Sequence, residues 1–341
     1  MFAIDFPAWD PVFLDLPGPI DLRWYGLMYV IGFVIGNWIL MRLSKRGFLP
    51  IDAEGVSQLV FYVIFGVMIG GRVGYALIYD HDLLHPVRIF QMWEGGLSFH
   101  GGLTGVAVAV ILFSMRYHAP TLRVGDACAM AATPGIFAVR FANFINGELY
   151  GRTTSADTFG AMQFPTDPKA TELMGLQGLG TRERELAIQM AYDKVEWADV
   201  QDRVATQYGN GQVIPWEPIR ERLDWETVRE GVPYRHPSQL YEGLGEGLLL
   251  GLVLYAVYLA TRRRPLGNGA YFGLFLIGYG VVRFGLENLR QPDAQFTSAD
   301  DPVGVVFLGM TMGQTLCALM ILIGSTLLWL SRRTREPAPA A

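Results

Sequence analysis

Apolar residues in this chain run in long blocks rather than in alternation. Seven blocks come near or above the ~20 residues that a helix needs to cross a bilayer, at 24–41, 56–79, 95–115, 124–145, 237–260, 269–289 and 303–330. The pattern predicts an all-α polytopic membrane protein with seven transmembrane helices. One long hydrophilic stretch separates the fourth block from the fifth. The expected organisation is an arm over 1–23, helices one to four within 24–152 and a head over 153–236. Helices five to seven follow within 237–330, and a tail over 331–341. The leader before the first block is acidic (Asp5, Asp10, Asp15, Asp21), with no basic region and no small-residue cleavage site. The first block is therefore expected to be a span, not a cleaved signal peptide.

Composition supports a membrane protein. Hydrophobic residues make up 51% and charged residues 17%, against a charged share of about 25% in soluble domains. Mean hydropathy is +0.26, and the 40 glycines suit close helix packing in a bilayer. Disorder, a disulfide scaffold and a basic nucleic-acid binder are excluded. The two cysteines, Cys128 and Cys317, both lie inside apolar blocks, which argues against a disulfide framework or a zinc site. No metal or organic cofactor is expected. Residues 153–235 hold 9 Lys+Arg and 14 Asp+Glu, so the net charge of −5 belongs to the insert.

Basic residues orient the bundle. Arg42, Lys45 and Arg46 follow the first block, and Arg116 and Arg123 lie between the third and fourth. Arg262, Arg263 and Arg264 follow the fifth, and Arg332, Arg333 and Arg335 follow the seventh. These clusters share one side if the N-terminus is outside, which predicts N-out and C-in with the head on the outer face.

Ionisable side chains inside spans are costly and are functional suspects. At ~1.5 Å of rise per residue, Arg140, His100 and Glu242 fall about 7 Å below the outer ends of their spans. Arg283 and Arg72 come out at roughly 9 and 10 Å, while Glu287 and Tyr25 sit at the rim. Costly residues on helices of alternating direction are thus expected at one level. Tyr279, Arg283 and Glu287 recur every four residues, so Arg283 can pair with Glu287. Arg140, Asn143, Asn146 and Gly147 lie on or near another face, and Gln239, Glu242 and Glu246 share a third.

Two arginines with flanking amides suit a phosphate at headgroup level. Arg72 reads equally as an interhelical ion-pair partner, and Asp126 and Glu246 read better as structural. His100 fits a base or a hydrogen-bonded core histidine. The glycine-rich stretches read as helix packing, since no strand precedes them and no Lys-Ser/Thr follows. A transferase using a phospholipid donor leads. A transporter or channel for an anion is the alternative, weakened by the few charges in the inner half.

The run from Arg140 through Asn143, Asn146, Gly147 and Glu148 to Gly151 and Arg152 resembles the signature of the prolipoprotein diacylglyceryl transferase family. So do Trp24-Tyr25-Gly26, the Gly96-to-Gly102 stretch around Ser98-Phe99-His100, Arg235-His236-Pro237-Ser238-Gln239-Leu240-Tyr241-Glu242, and Tyr279 through Arg290 to Phe296. The similarity covers all seven blocks in order. Val139 and Ala142 stand where glycines are expected, and the insert over 153–233 is longer than expected. The resemblance implies transfer of the diacylglyceryl group of phosphatidylglycerol to the lipobox cysteine of a prolipoprotein signal peptide, in the bacterial inner membrane. It also implies a functional set of Tyr25, His100, Arg140, Asn143, Asn146, Glu148, Gly151, His236, Tyr279, Arg283 and Glu287. A thiol of pKa about 8.5 must lose its proton to attack carbon; His100 or the arginine field would assist, and the arginines would stabilise the departing phosphate.

Overall fold

A computed structural model describes residues 2–14, 16, 21–78, 80–85, 87–91, 96–196, 222–292 and 304–334. The fold is mostly helical. Among the described residues, five helices are long and apolar enough to cross a membrane, as a polytopic membrane protein requires: α1 (Trp24–Lys45), α2 (Ala53–Ile78), α4 (Thr121–Ile145), α8 (Ser238–Thr261) and α10 (Met312–Ser331). Two further apolar blocks form α3 (Phe99–Tyr117) and the shorter α9 (Ala270–Leu286). The head contributes α5 (Pro168–Leu173), α6 (Thr181–Ala191) and α7 (Trp225–Val228). Among the described residues there are three small antiparallel pairs: β1 (Val12–Leu14) with β2 (Leu22–Arg23), β3 (Thr153–Thr154) with β4 (Tyr234–Arg235), and β5 (Val305–Phe307) with β6 (Met310–Thr311). Residues 92–95, 197–221, 293–303 and 335–341 lie outside the described set. They include the expected start of the third block, part of the head, the end of the last motif and most of the tail.

The seventh block departs from expectation. Its first residues form the β5–β6 hairpin, and helix begins only at Met312. Leu308 and Gly309 both take positive φ, at 48° and 77°, as the tight two-residue turn of a hairpin demands. Thr311 then starts α10 with a reciprocal cap: its hydroxyl accepts from the Gln314 amide at 3.2 Å, and the Gln314 side chain accepts from the Thr311 amide at 3.1 Å. This T-x-x-Q box satisfies two otherwise orphan donors. The fifth block also departs, because Gly243–Leu249 forms a π-helical turn within α8. Such turns recur at functional sites.

The chain forms two compact units. The first comprises Met1–Gly32, Gly135–Leu249 and Tyr279–Leu319, and the second Phe33–Pro134, Leu250–Gly278 and Met320–Ala341.

In the second unit, α2 and α3 pack along a seam of glycines. A β-carbon on Gly70 would lie 2.7 Å from the Gly105 Cα, and one on Gly74 would lie 2.6 Å from the Gly101 Cα. Small residues let the two backbones touch, as the glycine pattern predicts. Arg72 makes a set of backbone hydrogen bonds. It is 2% exposed and donates to the carbonyls of Arg88, Ile89, Gln91 and Gly96 at 2.7–3.4 Å, so it fastens the loop between α2 and α3. Asp126 is structural, as its sequence setting suggests. Its two oxygens accept from the amides of Gly269 and Phe272, each at 2.9 Å, and tie down the start of α9.

In the first unit, the head has its own apolar core. Met174, Leu176, Leu186, Ile188, Trp225 and Val228 are buried together, so α5, α6 and α7 fold around side chains of the insert itself. The N-terminal arm packs through Phe6 against Phe144 and Phe164, at centroid separations of 5.4 and 5.0 Å.

Candidate functional site

The site in the first unit grows from the ends of three helices. α4 delivers Arg140 in its last turns, α8 delivers Glu242 and Glu246 around its π turn, and α9 delivers Arg283, with Glu287 and Arg290 in the turn beyond it. Glu242 is the hub. One carboxylate oxygen meets Arg140 Nη1 at 2.9 Å; the other meets Arg283 Nη1 at 2.7 Å and Arg290 Nη1 at 3.4 Å. Glu246 lies 3.7 Å from Arg140 Nη2 and 3.8 Å from Arg283 Nη1. Glu287 reaches Arg283 Nη2 at 3.4 Å and accepts from the Thr311 hydroxyl at 3.2 Å.

Three arginines therefore face three glutamates, and their formal charges cancel. Glu242 and Glu246 are fully buried, whereas the arginines keep 14–18% of their side-chain surface. The carboxylates sit behind and the guanidinium edges remain partly open. A buried carboxylate holding a planar fork fixes its direction, and the free N–H groups stay available to an oxyanion.

The turn after α4 forms a second polar group. Asn143 and Asn146 both donate to Glu148 Oε1, at 2.9 and 3.1 Å. Gln239 donates to the Glu148 carbonyl at 2.7 Å. Gly151 sits between two other segments: its amide donates to the His236 carbonyl at 2.8 Å, and it bridges to Arg290. A β-carbon on Gly151 would collide with the Leu289 carbonyl oxygen and meet His236 Cβ at 2.9 Å. Glycine is needed here because the chain next to Arg290 passes at backbone contact. Arg235 fastens the same region, donating to Asp167 and to Gln291 Oε1 and lying 4.9 Å from the Tyr150 ring centroid. Burial pushes the Tyr150 hydroxyl up to about 12, with Asp167 adding to the effect. Burial also pushes the His236 imidazole below its ordinary value. His236 Nδ1, Asn146 Oδ1 and Gln239 Oε1 are buried without a hydrogen-bond partner among the described residues.

Tyr25, on the first turn of α1, is within the electrostatic reach of Arg140 and Glu148. Its hydroxyl lies 3.5 Å from that of Tyr29. The first unit thus holds every residue of the expected set except His100. His100 belongs to the second unit, where it is exposed on the first turn of α3 behind the Ser98 N-cap. Three residues at the cluster were missing from the expected set. Glu242 had a signal, its depth in the span. Glu246 shared its face but read as structural, and Arg290 stood in the last family motif without a role of its own.

Fold and site together define a polytopic helical membrane protein with a buried, charge-balanced polar site at its helix ends. The family model for prolipoprotein diacylglyceryl transferase matches residues 11–330. A phosphatidylglycerol–prolipoprotein diacylglyceryl transferase of Yersinia enterocolitica is 38% identical over 334 residues, covering 97% of each chain. Proteins of the same name from Salmonella choleraesuis and Burkholderia thailandensis are 37% and 36% identical, each covering 96–97% of both chains. The chain belongs to the prolipoprotein diacylglyceryl transferase family and is a transferase. These relatives are named as transferases, not as transporters, so the anion-transport alternative finds no support among them.

Proposed function

We propose that this protein transfers the diacylglyceryl group of phosphatidylglycerol to the lipobox cysteine of a prolipoprotein, the first step of bacterial lipoprotein maturation. The thiolate sulfur attacks the glycerol carbon that carries the phosphate. The S–C bond forms as the C–O bond breaks, the electron pair leaves with the oxygen, and glycerol phosphate is released. The thiol proton passes to a base, for which His100 is the candidate. The observation that carries this reading, beside family membership, is the set of three arginines gathered on Glu242 with their outer edges open.

Arg140 and Arg283 bind the phosphate and take up the charge that grows on it as the bond breaks. Glu287 holds Arg283. Asn143, Asn146, Glu148, His236 and Tyr279 line the donor site with Tyr25, and Gly151 lets the Arg290 segment close on it. The unpartnered side-chain oxygens of Asn146 and Gln239 are acceptors, and the headgroup glycerol supplies hydroxyl donors for them. The chain lies in the inner membrane with seven spans, N-out and C-in, and its head faces the outer side. The acceptor enters sideways from the bilayer, because its signal peptide is itself an apolar helix.

The deciding experiment incubates purified protein with phosphatidylglycerol and a lipobox peptide and looks for the mass of the thioether product. Phosphate release without the product, or anion flux in liposomes, would refute the assignment. Reporter fusions test the topology: a tail read as external overturns it.

A further inference from the structure

The insert has a core of its own but no assigned purpose. One face of its helix α6 is tied to the chain segment that enters α1. Glu185 grips Arg23 with both oxygens, at 2.7 and 3.1 Å. One turn earlier, Arg182, only 3% exposed, holds both oxygens of Asp10 at 2.8 and 3.4 Å and also reaches Glu185 at 3.4 Å. Asp10 accepts from the Val12 amide at 2.9 Å, and Val12 pairs with Arg23 across β1–β2. The Trp24 amide donates to the Pro11 carbonyl at 3.1 Å, and the Phe13 ring meets Trp24 edge-on at 4.8 Å. Trp24 is the first residue of α1, and Tyr25 is the second.

We infer that Arg23 and Glu185 are positioning residues: through β2 and the first turn of α1, the head helix α6 fixes the Tyr25 hydroxyl beside Arg140 and Glu148. The inference rests on the reading that Tyr25 belongs to the reaction site. The physical basis is short and rigid. Arg23 is two residues from Tyr25, a bidentate guanidinium–carboxylate pair fixes direction as well as distance, and the paired strands fix the backbone between them. A displacement near 1 Å at a reacting group slows an enzyme by up to about a hundredfold, so a contact remote from the chemistry can govern turnover.

The test uses the full-length protein in detergent, with phosphatidylglycerol and a lipobox peptide as substrates and 3-fluorotyrosine placed at position 25. Arg23→Ala and Glu185→Ala should each lower kcat about tenfold, leave KM for phosphatidylglycerol within about twofold, and shift the ¹⁹F resonance of residue 25. The double variant should be no worse than Glu185→Ala, which removes the shared contact together with the Arg182 one. Arg23→Lys, which keeps charge but not the fork, should fall between and serves if an alanine variant fails to fold. Additive losses overturn the inference, as do losses with an unmoved ¹⁹F resonance or unchanged kcat in both singles. A wild-type protein that makes no thioether product sinks the functional reading instead, while the ¹⁹F comparison still decides whether α6 sets the position of Tyr25.

Discussion

Glu242 and Arg283, on different helices, are joined at 2.7 Å in a pair whose carboxylate is wholly buried, and the other oxygen of the same carboxylate holds Arg140 at 2.9 Å. One acidic side chain thus sets the spacing of both arginines. In the proposed reaction the donor phosphate would meet forks whose direction is already fixed, so the reorganisation needed as charge develops would be small.

Removing that carboxylate should be severe. Glu242→Ala leaves buried guanidinium groups uncompensated, which costs about 3–5 kcal/mol for a broken buried pair. Both transfer and thermal stability in detergent should fall, and Glu242→Gln should recover part of the stability but little of the activity. A Glu242→Ala protein that melts like the wild type would show that Arg140 and Arg283 do not depend on it.

Arg140→Ala and Arg283→Ala should each abolish transfer in a protein that still folds. Lysine keeps the charge but has no planar fork, so Arg140→Lys and Arg283→Lys should regain little. Near-full activity in both lysine variants, measured as thioether product, would mean that a general positive field suffices.

Glu287 should matter mainly through Arg283. In Glu287→Gln the one amide oxygen can still accept from the guanidinium, at the cost of the Thr311 contact on the other oxygen, so the variant should be milder than Arg283→Ala. A Gln variant as inactive as the arginine truncation would assign Glu287 a proton-transfer role.

Gly151→Ala should inactivate the enzyme by sterics alone. Its methyl group would force apart the segments of Leu289 and His236, an overpacking cost of about 1–3 kcal/mol, and would move Arg290 with them. The expected result is lost transfer together with a lower melting temperature. Wild-type activity in this variant would contradict the close passage of the two backbones.

His100→Gln should slow transfer by roughly 10²–10⁴-fold if the imidazole takes the thiol proton. Raising the pH toward the thiol pKa of about 8.5 should then partly rescue it, because more thiolate forms without a base. An active Gln variant with an unchanged pH profile would remove His100 from the chemistry and leave the arginines as the source of activation.

The sequence alone determined the kind of protein and most of its chemical inventory. Apolar blocks near 20 residues long reveal membrane helices because the bilayer requires that length whatever the neighbours are. The Tyr279–Arg283–Glu287 stripe is legible because four-residue spacing is a local property of a helix, and Arg283 does pair with Glu287. The family motifs name most of the residues that the first unit gathers. Tertiary structure alone decided how they are joined. Arg140, Arg283 and Arg290 meet on the Glu242 carboxylate only because three helix ends converge, and no periodicity within one segment carries that information. It also turned Arg72 from a suspect into a fastener of backbone carbonyls, since its partners come from a loop without a pattern. The start of the seventh block misled for a related reason. Valine, phenylalanine and leucine suit a membrane helix and a β-hairpin alike, and the choice rests on the positive φ of Leu308 and Gly309 and on the cap formed by Thr311 and Gln314. Hydropathy registers how apolar a segment is; backbone geometry and long-range pairing determine which shape satisfies its polar groups.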